Sequence, residues 1–600
     1  MLHVPNELVI AILKCAPLST IANLWSTSRE WNTFCEANQS ILYHNAAILH
    51  GLISSSIAYS DLGTALSRRS LTGVSDWKSF CYTQTCIPKS WRGEEPSFVT
   101  SHRCAGNNVH RIKADEQRGF LIVTTSRGGL FVVDLYDDQV LWSLPAVSMM
   151  RYQDQAHCEY GEGYLIFDRE GFAGEKEVWR LADDVDANLD SPTFATPDEK
   201  QQNISSWAEG FHGSTSRGHF WPWAVLQPPV LTRAFRFVYP TLIAATLISL
   251  FVWDIPSGEL VQVIRYTQIS EDGPGSIEYL GDTNYVEVSA QADGHAFICG
   301  SNTLRAFSWT SDRCVLDVPS SQISYGRNAY SFIADGSHEQ SKSQPISHRL
   351  AIRPTDNERL INEFIAVVHV SGCGSHLAAL LASSCLIIIP FFQRIISGAV
   401  DIWDIALDIQ LGSPVSVARY LAFENGRVAV ATVRCSSSSP RFAADIASTG
   451  DRTVRESTVQ STDPPPISVH QAAWFNAPVA LKCVSCLQMM PTGIFLNWDA
   501  GIQSTGNRDY KGDDLIPEPG FERIFSCSLG EEQSLLHMRP ICKFHSRCLQ
   551  HFRDLPNGDD VMQLFEPGKI FLSFFRSNPY LVCSWPAGIF FSLQYQFYTY

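Results

Sequence analysis

The chain has 600 residues, of which 45% are hydrophobic and 18% charged, a globular composition that is too long for one ordinary domain. Its 61 acidic and 45 basic residues give a formal net charge of −16, which argues against a nucleic-acid partner because such binding rewards Lys and Arg. The sequence contains no phosphate-binding loop, metalloprotease helix motif or nucleophile elbow, so we expect a protein that is not an enzyme and needs no cofactor.

The cysteines and the longest apolar run bear on location. The 17 Cys are scattered, and residues 1–14 lack the basic start of a signal peptide, so we expect a reducing compartment, cytoplasmic or nuclear. Leu377 to Phe392 is nearly all apolar, but it has 16 residues and contains Ser383, Ser384 and Pro390. A membrane span needs about 20 apolar residues. We therefore interpret this segment as two buried strands joined by the Ser pair, and we expect no membrane partner.

Helical periodicity marks the N-terminal region. Leu8, Ile12 and Leu13 follow Pro5 at helical spacing, and Pro17 ends this first helix. Ser19 or Thr20 can cap a second helix. The second helix is predicted from residues that repeat at i, i+3, i+4 and i+7: Ile21, Leu24, Trp25, Ser28 and Trp31. A third helical stretch is expected from Ile41 to Leu52.

In order and spacing, these N-terminal residues resemble the F-box. The resemblance is carried by Val4-Pro5-Asn6-Glu7-Leu8, Ile12-Leu13, Pro17, Ile21, Leu24, Ser28-Arg29 and Trp31. It implies docking onto a Skp-type adaptor and, through it, onto a cullin–RING ubiquitin ligase. The residues that it implies for adaptor binding are Pro5, Leu8, Ile12, Leu13, Pro17, Ile21, Leu24 and Trp31. The sequence does not divide them between the adaptor groove and the core of the module, and a plain amphipathic helical hairpin is the alternative.

The segment after the F-box-like region is rich in Trp. Trp77, Phe80 and Cys81 would share one helical face, and Trp91-Arg92-Gly93 follows. This segment resembles the linker that joins an F-box to a propeller in F-box/WD-repeat proteins, and by itself it predicts an amphipathic helix.

From about residue 105 the sequence changes to short β-rich runs. Gly119 to Ser126, Leu130 to Leu135 and Gln139 to Leu144 predict three strands joined by tight turns, an antiparallel meander. Val252-Trp253-Asp254-Ile255, followed by Pro256-Ser257-Gly258, closely resembles the end of a WD repeat, and Asp401-Ile402-Trp403-Asp404-Ile405 is a further copy. Weaker copies are 177–181 and 306–310.

The spacing of these copies indicates a degenerate propeller. The residues in the Asp position are 134, 180, 254, 310 and 404, and a WD repeat runs about 40–45 residues. The larger gaps contain polar inserts near 183–213 and 320–362. We therefore predict a β-propeller with long loops, and another all-β domain built from hairpins is the alternative.

The predicted fold class is α+β and multidomain, a small N-terminal α-helical F-box followed by a mainly-β propeller-like domain. The predicted units are the F-box module (1–50), a helical linker (51–100), the degenerate WD-repeat-like propeller (101–435), a flexible linker or loop (436–470), and divergent closing strands or a poorly ordered C-terminal region (471–600). These units predict a substrate-recognition subunit of a Skp–cullin–F-box type ubiquitin ligase that binds an unknown target protein. A non-ligase interaction scaffold is the alternative.

Two groups of side chains invite more specific hypotheses. A basic pocket for a phosphorylated target could gather Arg103, Arg111, Arg127, Arg233 and Arg236, although solvated surface arginines are favoured. Zinc ligands could come from Cys483 and Cys486 with Cys542, His545, Cys548 and His551, although free thiols are favoured because the two groups are far apart in sequence. The sequence therefore predicts neither a metal site nor a defined target site.

Overall fold

The structure is a computed structural model. It describes residues 4–91, 97–102, 109–125, 129–145, 157–169, 174–185, 192–213, 217–270, 278–289, 294–320, 326, 328–333, 346–352, 365–411, 416–424, 426–434, 446–448, 468–471, 484–499, 522–529 and 591–594.

The N-terminal region is helical. Its helices are α1 (Asn6–Leu13), α2 (Leu18–Thr27), α3 (Arg29–Ala37), α4 (Gln39–Leu49), α5 (Leu62–Ala65) and α6 (Trp77–Trp91). Pro5 lies directly before α1, as predicted. The predicted cap of the second helix at Ser19 or Thr20 is wrong, because Pro17 is the N-cap of α2 and both residues lie within the helix. The prediction of one helix from Ile21 to Trp31 is wrong, because Ser28 is extended and its side chain accepts a hydrogen bond from the Trp31 N–H. Ser28 thus ends one helix and caps the next.

These helices form a module with its own core, which we call the helical module (residues 4–91). Val9, Leu13, Ile21 and Leu42 are buried together with α6 side chains. Trp77, Phe80 and Cys81 lie on one face of α6, as predicted, and the Trp77 and Phe80 rings meet edge to face with centroids 5.6 Å apart. The linker helix therefore supplies part of the core that the first four helices share.

The rest of the described chain is mainly β. Five separate four-stranded sheets are present among the described residues. Their strands are β1 (Ser97–His102), β2 (Val109–Asp115), β3 (Phe120–Thr125), β4 (Leu130–Asp134), β5 (Val140–Leu144), β6 (Cys158–Gly161), β7 (Tyr164–Asp168), β8 (Lys176–Leu181), β9 (Phe220–Leu226), β10 (Ala234–Val238), β11 (Thr241–Ala245), β12 (Ser249–Asp254), β13 (Glu259–Arg265), β16 (Tyr285–Ser289), β17 (His295–Cys299), β18 (Thr303–Ser308), β19 (Arg313–Pro319), β30 (Leu487–Met490), β31 (Gly493–Asp499) and β32 (Glu522–Leu529).

Four of these sheets are consecutive antiparallel meanders, β2–β5, β6–β9, β10–β13 and β16–β19. The fifth has the order β1-β32-β31-β30, so the strand that follows the helical module pairs with strands from near the C-terminus. A small ribbon joins β14 (Ile269–Ser270) to β15 (Glu278–Tyr279). The predicted meander over residues 119–144 is confirmed as β3, β4 and β5.

The remaining strands belong to one larger sheet. They are β20 (Asn328–Ile333), β21 (Ile346–Ile352), β22 (Ile365–Val370), β23 (Leu377–Leu381), β24 (Cys385–Ile389), β25 (Leu407–Gln410), β26 (Ser416–Glu424), β27 (Arg427–Arg434), β28 (Ile446–Ser448), β29 (Ser468–Gln471) and β33 (Phe591–Gln594). Strands β22–β25 repeat the four-stranded meander. The apolar segment 377–392 forms β23 and β24 with the Ser pair between them, as predicted, and both strands are fully buried.

The sheets are arranged as a propeller. The end strands of the sheets contact one another in the order β2, β6, β10, β16, β22, β26 and β30, and β30 returns to β2. Of these strands, β22 and β26 are the two ends of the larger sheet. Large apolar clusters fill the space between neighbouring sheets. In one of these clusters the ring centroids of Trp142 on β5 and Trp179 on β8 lie 5.5 Å apart. The strand order and the closed contact sequence define a β-propeller with these seven strands around its centre.

Each four-stranded meander begins and ends at the same end of its sheet. The propeller therefore has one face at which the meanders begin and end, and an opposite face. We call the end at which the innermost strands begin the upper face, and the end with the β2–β3 and β4–β5 turns the lower face. The lower face contacts the helical module. Gln117 in the β2–β3 turn donates to the Thr64 carbonyl at 2.8 Å, and the Trp91 indole donates to the Pro491 carbonyl in the β30–β31 turn at 3.1 Å.

The same irregularity recurs in the third strand of four sheets. The register shifts between Val132 and Val133, Val178 and Trp179, Val252 and Trp253, and Ala306 and Phe307. This common position confirms three of the predicted repeat copies and places Ser308, rather than Thr310, in the fourth.

The predicted repeat copy at 401–405 is wrong. It forms a one-turn helix, α9 (Ile402–Ile405), after α8 (Phe392–Ile396). The Asp401 side chain accepts from the Trp403 N–H at 2.7 Å and caps this turn. The polar insert 183–213 also contains a helix, α7 (Glu199–His212), which packs on β5 and β9.

Candidate functional site

Helix α1 carries an exposed apolar stripe. Leu8 and Ile12 are 56% and 67% exposed, and Val4 just before the helix is 45% exposed. Val9 and Leu13, on the adjacent side of the helix, anchor it in the core of the module. Residues four apart lie on one face of a helix. Leu8 and Ile12 therefore lie on one face of α1, and we call these two residues the α1 stripe.

The structure separates the eight residues that the F-box resemblance implies for adaptor binding. Pro5, Leu8, Ile12 and Pro17 are exposed, and Leu24 and Trp31 are half-buried. Leu13 and Ile21 are 5% and 0% exposed and belong to the core of the module, so their side chains hold the helices together. The sequence pattern includes both the exposed and the buried residues, because an apolar residue at helical spacing can face either the core of the module or a partner.

The helical module is attached to the propeller by side chains away from the α1 stripe. The Arg68 guanidinium lies 4.7 Å from the Tyr136 ring centroid, and the Arg69 guanidinium lies 5.3 Å from that of Phe495. Arg427 stacks on the Trp91 ring at 4.8 Å. These contacts hold the module on the lower face and leave Leu8 and Ile12 exposed.

A second candidate site is a chain of charged side chains along the innermost strands. Glu159 on β6 is at its centre, with a side chain that is 2% exposed. Its carboxylate accepts from Lys113 Nζ at 2.8 Å, from Arg236 Nη1 at 2.9 Å and from His157 Nε2 at 2.8 Å. Burial acts to raise the pKa of Glu159, but Arg236 and Lys113 outweigh it and hold the pKa well below its ordinary value.

The chain of contacts continues across the next two sheets. Arg236 Nε donates to Glu287 Oε1 at 2.8 Å, and Glu287 Oε2 lies 2.8 Å from His369 Nδ1. His369 Nε2 is 3.4 Å from the Tyr285 hydroxyl. Burial lowers the pKa of His369, so the neutral ring donates from Nδ1 to the carboxylate. We call the connected set of Lys113, His157, Glu159, Arg236, Glu287 and His369 the central network.

Arg111 joins this network through His157. Arg111 Nε donates to His157 Nδ1 at 3.0 Å, which requires the neutral ring to carry its proton on Nε2, facing Glu159. Burial lowers the pKa of His157 and favours that neutral form. Arg111 Nη1 also donates to the Ser485 carbonyl, and its guanidinium lies 5.6 Å from the Tyr420 ring centroid. The network therefore reaches the innermost strands on both sides of β2.

The sequence suggested that the arginines either form a basic pocket for a phosphorylated target or lie solvated on the surface. Arg111 and Arg236 instead make hydrogen bonds and ion pairs within the central network. Arg233 lies elsewhere and pairs with Asp282, and Arg103 and Arg127 lie outside the described residues. Sequence analysis missed Glu159, Glu287 and His369. The available signal was one Glu or His inside each of three short and mostly apolar inner strands.

The zinc hypothesis is only partly covered by the structure. Cys486 is buried, and its backbone N–H donates to Asn497 Oδ1 at 3.1 Å. Cys483, Cys542, His545, Cys548 and His551 lie outside the described residues. Among the residues that the structure does describe, no group of three His, Cys, Asp or Glu side chains could hold a metal ion. The expectation of no metal and no cofactor stays a prediction.

In the same described part of the chain, no helix is long and apolar enough to cross a membrane.

Comparisons with known proteins add a fold similarity. No protein-family model matches the chain, and no curated protein matches it. Among solved structures, the chain is similar to the β-propeller domain of Cps50 (Swd1) from Myceliophteria thermophila, with 11% sequence identity and a TM-score of 0.37. The match covers 72% of this chain and 99% of that one. From the sheets described above, the chain consists of N-terminal helices followed by a mainly-β propeller.

Proposed function

We propose that this protein is the substrate-recognition subunit of a Skp–cullin–F-box type ubiquitin ligase. The α1 stripe would bind a Skp-type adaptor, and the propeller would hold the target protein. The subunit would make and break no bonds itself. It would accelerate ubiquitin transfer by holding a target lysine close to the charged ubiquitin, which raises the effective concentration of that lysine.

The observation that carries this proposal is the exposure of Leu8 and Ile12 on a helix whose other face is packed. A small helical module that buries Val9 and Leu13 has no internal need for two further large apolar residues in water. Amphipathic helices bind partner grooves through anchors at this spacing. The F-box resemblance supplies the identity of the partner as an adaptor of the Skp type.

The test is co-purification of the full chain with a Skp-type adaptor. Truncating a strong anchor costs about 2 kcal/mol, or about 30-fold in affinity, so Leu8→Glu and Ile12→Glu are expected to abolish co-purification. The matched control is Val261→Glu, because Val261 is 53% exposed on an outer strand of the propeller. Circular dichroism reports whether each variant is folded.

The outcome separates two classes of function. Loss with both α1 variants and retention with the control would support the ligase subunit, provided that a cullin is recruited with the adaptor. Adaptor binding without cullin recruitment or target ubiquitination would favour the non-ligase scaffold. Equal adaptor binding by the wild type and both α1 variants would refute the proposed docking surface.

A further inference from the structure

Positive charge exceeds negative charge among the described side chains at the centre of the propeller. The cations there are Lys113, Arg236 and Arg111, and the carboxylates are Glu159 and Glu287. Burial lowers the pKa of both histidines of the central network, so their rings are neutral. Three positive groups therefore face two negative groups, although the whole chain carries a net charge of −16.

Arg111 is the cation that has no carboxylate partner in the described part of the chain. The other two cations pair with the carboxylates of the central network. Arg111 Nε donates instead to the neutral His157 ring at 3.0 Å. Its Nη1 donates to the backbone carbonyls of Ser485 and His110. All of these acceptors are uncharged, so they satisfy hydrogen bonds without neutralising the guanidinium.

The sequence around Arg111 offers little further negative charge. Asp115, the next carboxylate along β2, is already paired with Arg118 at 2.9 Å. The segments that precede β2, β6, β26 and β30 (103–108, 146–156, 412–415 and 472–483) lie outside the described residues. Their sequences contain three basic residues and one acidic residue: Arg103, Arg151, Lys482 and Asp154. These segments are therefore basic in composition.

Solvent reaches Arg111 from the upper face. Arg111 is the third residue of β2, and Ser485, whose carbonyl it contacts, lies just before β30. The neighbouring side chains of His157 and Arg236 are 21% and 20% exposed. Water and small ions can therefore enter between the innermost strands. A guanidinium in this enclosure is hydrated less well than in bulk water, so a counterion gains more from contacting it there.

Two groups beside Arg111 can donate to an anion. The Tyr420 ring centroid lies 5.6 Å from the guanidinium, and the Tyr420 hydroxyl makes no hydrogen bond with another described residue. Burial raises the pKa of Tyr420, so the hydroxyl keeps its proton. His110 Nε2 is buried and has no hydrogen-bond partner among the described residues. Burial and the charge of Arg111 lower the pKa of His110 to about 3, so this ring is neutral.

The N–H groups that remain on Arg111 indicate the kind of anion. A carboxylate or phosphate binds a guanidinium best through two parallel N–H groups. Nε and Nη1 of Arg111 already donate within the protein, and only Nη2 has no acceptor among the described residues. A halide ion needs no such fork, because it is spherical and accepts from donors in any direction. A single negative charge is also what the surplus requires.

We propose that a chloride ion, or a halide of similar size, binds at the upper end of the central channel and accepts from Arg111 Nη2 and the Tyr420 hydroxyl. The ion would balance the surplus positive charge and so stabilise the propeller. This inference goes beyond the proposed ligase function and does not depend on it.

The test is urea unfolding of the full chain at constant ionic strength, with chloride replaced stepwise by gluconate. Gluconate carries the same single charge, but its carboxylate favours the two-donor fork that Arg111 does not offer. Because chloride would bind only the folded state, chloride at tenfold its Kd raises the ratio of folded to unfolded protein about 11-fold. The urea midpoint of the wild type is therefore expected to rise as chloride replaces gluconate.

Three variants identify the site. Arg111→Met removes the charge, keeps much of the length of the side chain, and is expected to lose the dependence on chloride. Tyr420→Phe keeps the ring beside Arg111 and removes the hydroxyl, so its dependence should begin at a higher chloride concentration. Arg233→Met is the matched control, because Arg233 pairs with Asp282 at 2.6 Å on the surface. It should retain the chloride dependence of the wild type.

Bromide gives a direct readout that does not rely on the folding of any variant. In crystals of the wild-type chain grown with sodium bromide, the anomalous signal of the ion is expected within hydrogen-bond distance of Arg111 Nη2. Bromide scatters anomalously and resembles chloride in size and charge, so it reports the same site.

Any of four results would overturn the proposal. Equal wild-type midpoints in chloride and gluconate would show that no halide stabilises the fold. An undiminished chloride dependence in Arg111→Met would place the ion elsewhere. Crystals without bromide at Arg111 would assign the compensating charge to a carboxylate of the chain itself. Bromide at Arg111 without any effect of chloride on the midpoint would mark an adventitious ion only.

Discussion

Replacement of Glu159 by Gln tests whether the central network holds the propeller together. The substitution keeps the shape of the side chain and removes the charge that faces Lys113 and Arg236. Arg236 would keep Glu287 as a partner, whereas Lys113 would lose the carboxylate at 2.8 Å with a side chain only 15% exposed. The variant therefore leaves one buried ammonium group uncompensated.

The expected cost follows from that geometry. Breaking a buried ion pair by removing one partner costs about 3–5 kcal/mol, and the residual exposure of Lys113 places the expected loss near 3 kcal/mol. Urea unfolding followed by tryptophan fluorescence measures it, because the Trp142 and Trp179 rings are buried between neighbouring sheets. The propeller transition of Glu159→Gln is expected at a clearly lower urea concentration than that of the wild type.

Two further variants test whether the loss of stability comes from the uncompensated Lys113 ammonium group. Adding Lys113→Met to Glu159→Gln removes the uncompensated ammonium group, so the double variant is expected to be more stable than the single one. Asp282→Asn, at an exposed ion pair, is expected to leave the urea midpoint unchanged. A wild-type midpoint for Glu159→Gln, or a double variant no more stable than the single, would show that the network is not structural.

Two other predictions concern acid and the helical module. Burial lowers the pKa of His157 and His369, and it lowers that of His376 to about 3, so the unfolded chain takes up protons first as the pH falls below about 6.5. The contribution of these neutral histidines to the stability of the folded state is therefore fully present above that pH and is lost progressively below it. The thermal midpoint should be lower at pH 5.5 than at pH 7.5, and an equal or higher midpoint at pH 5.5 contradicts this account. Leu13→Ala is expected to destabilise the helical module by about 2–5 kcal/mol, whereas Leu8→Ala should leave its unfolding midpoint unchanged, since only Leu13 is buried. Equal midpoints of the two variants by circular dichroism would argue against the stated packing of α1.

Local pattern in the sequence was sufficient for many elements. The apolar runs over 119–144 predict β3, β4 and β5, and the Ser pair within 377–392 predicts the break between β23 and β24. Pro5 marks where the first helix begins. These features depend on the conformations of a few adjacent residues, so their signals lie within short stretches of sequence.

Other features were misread because the same local pattern fits two structures. Residues 401–405 share an Ile-Trp-Asp core with the repeat pattern, yet Asp401 caps a helical turn there. Ser28 fits helical spacing, yet its side chain bonds the Trp31 N–H and starts a new helix. Asp and Ser side chains compete with the backbone for such hydrogen bonds, and the surrounding packing decides the outcome.

The sequence by itself determined that apolar helices precede a run of short strands, because both periodicities are written in neighbouring residues. Only the tertiary structure decided that Leu8 and Ile12 face water while Leu13 and Ile21 are core, since helical spacing alone does not say which face packs. It also decided that Glu159 meets Arg236, 77 positions away, and that β1 pairs with β32. Contacts of this kind exist only once the sheets close into a ring, and the physical reason is that strand pairing joins segments that are far apart in the chain.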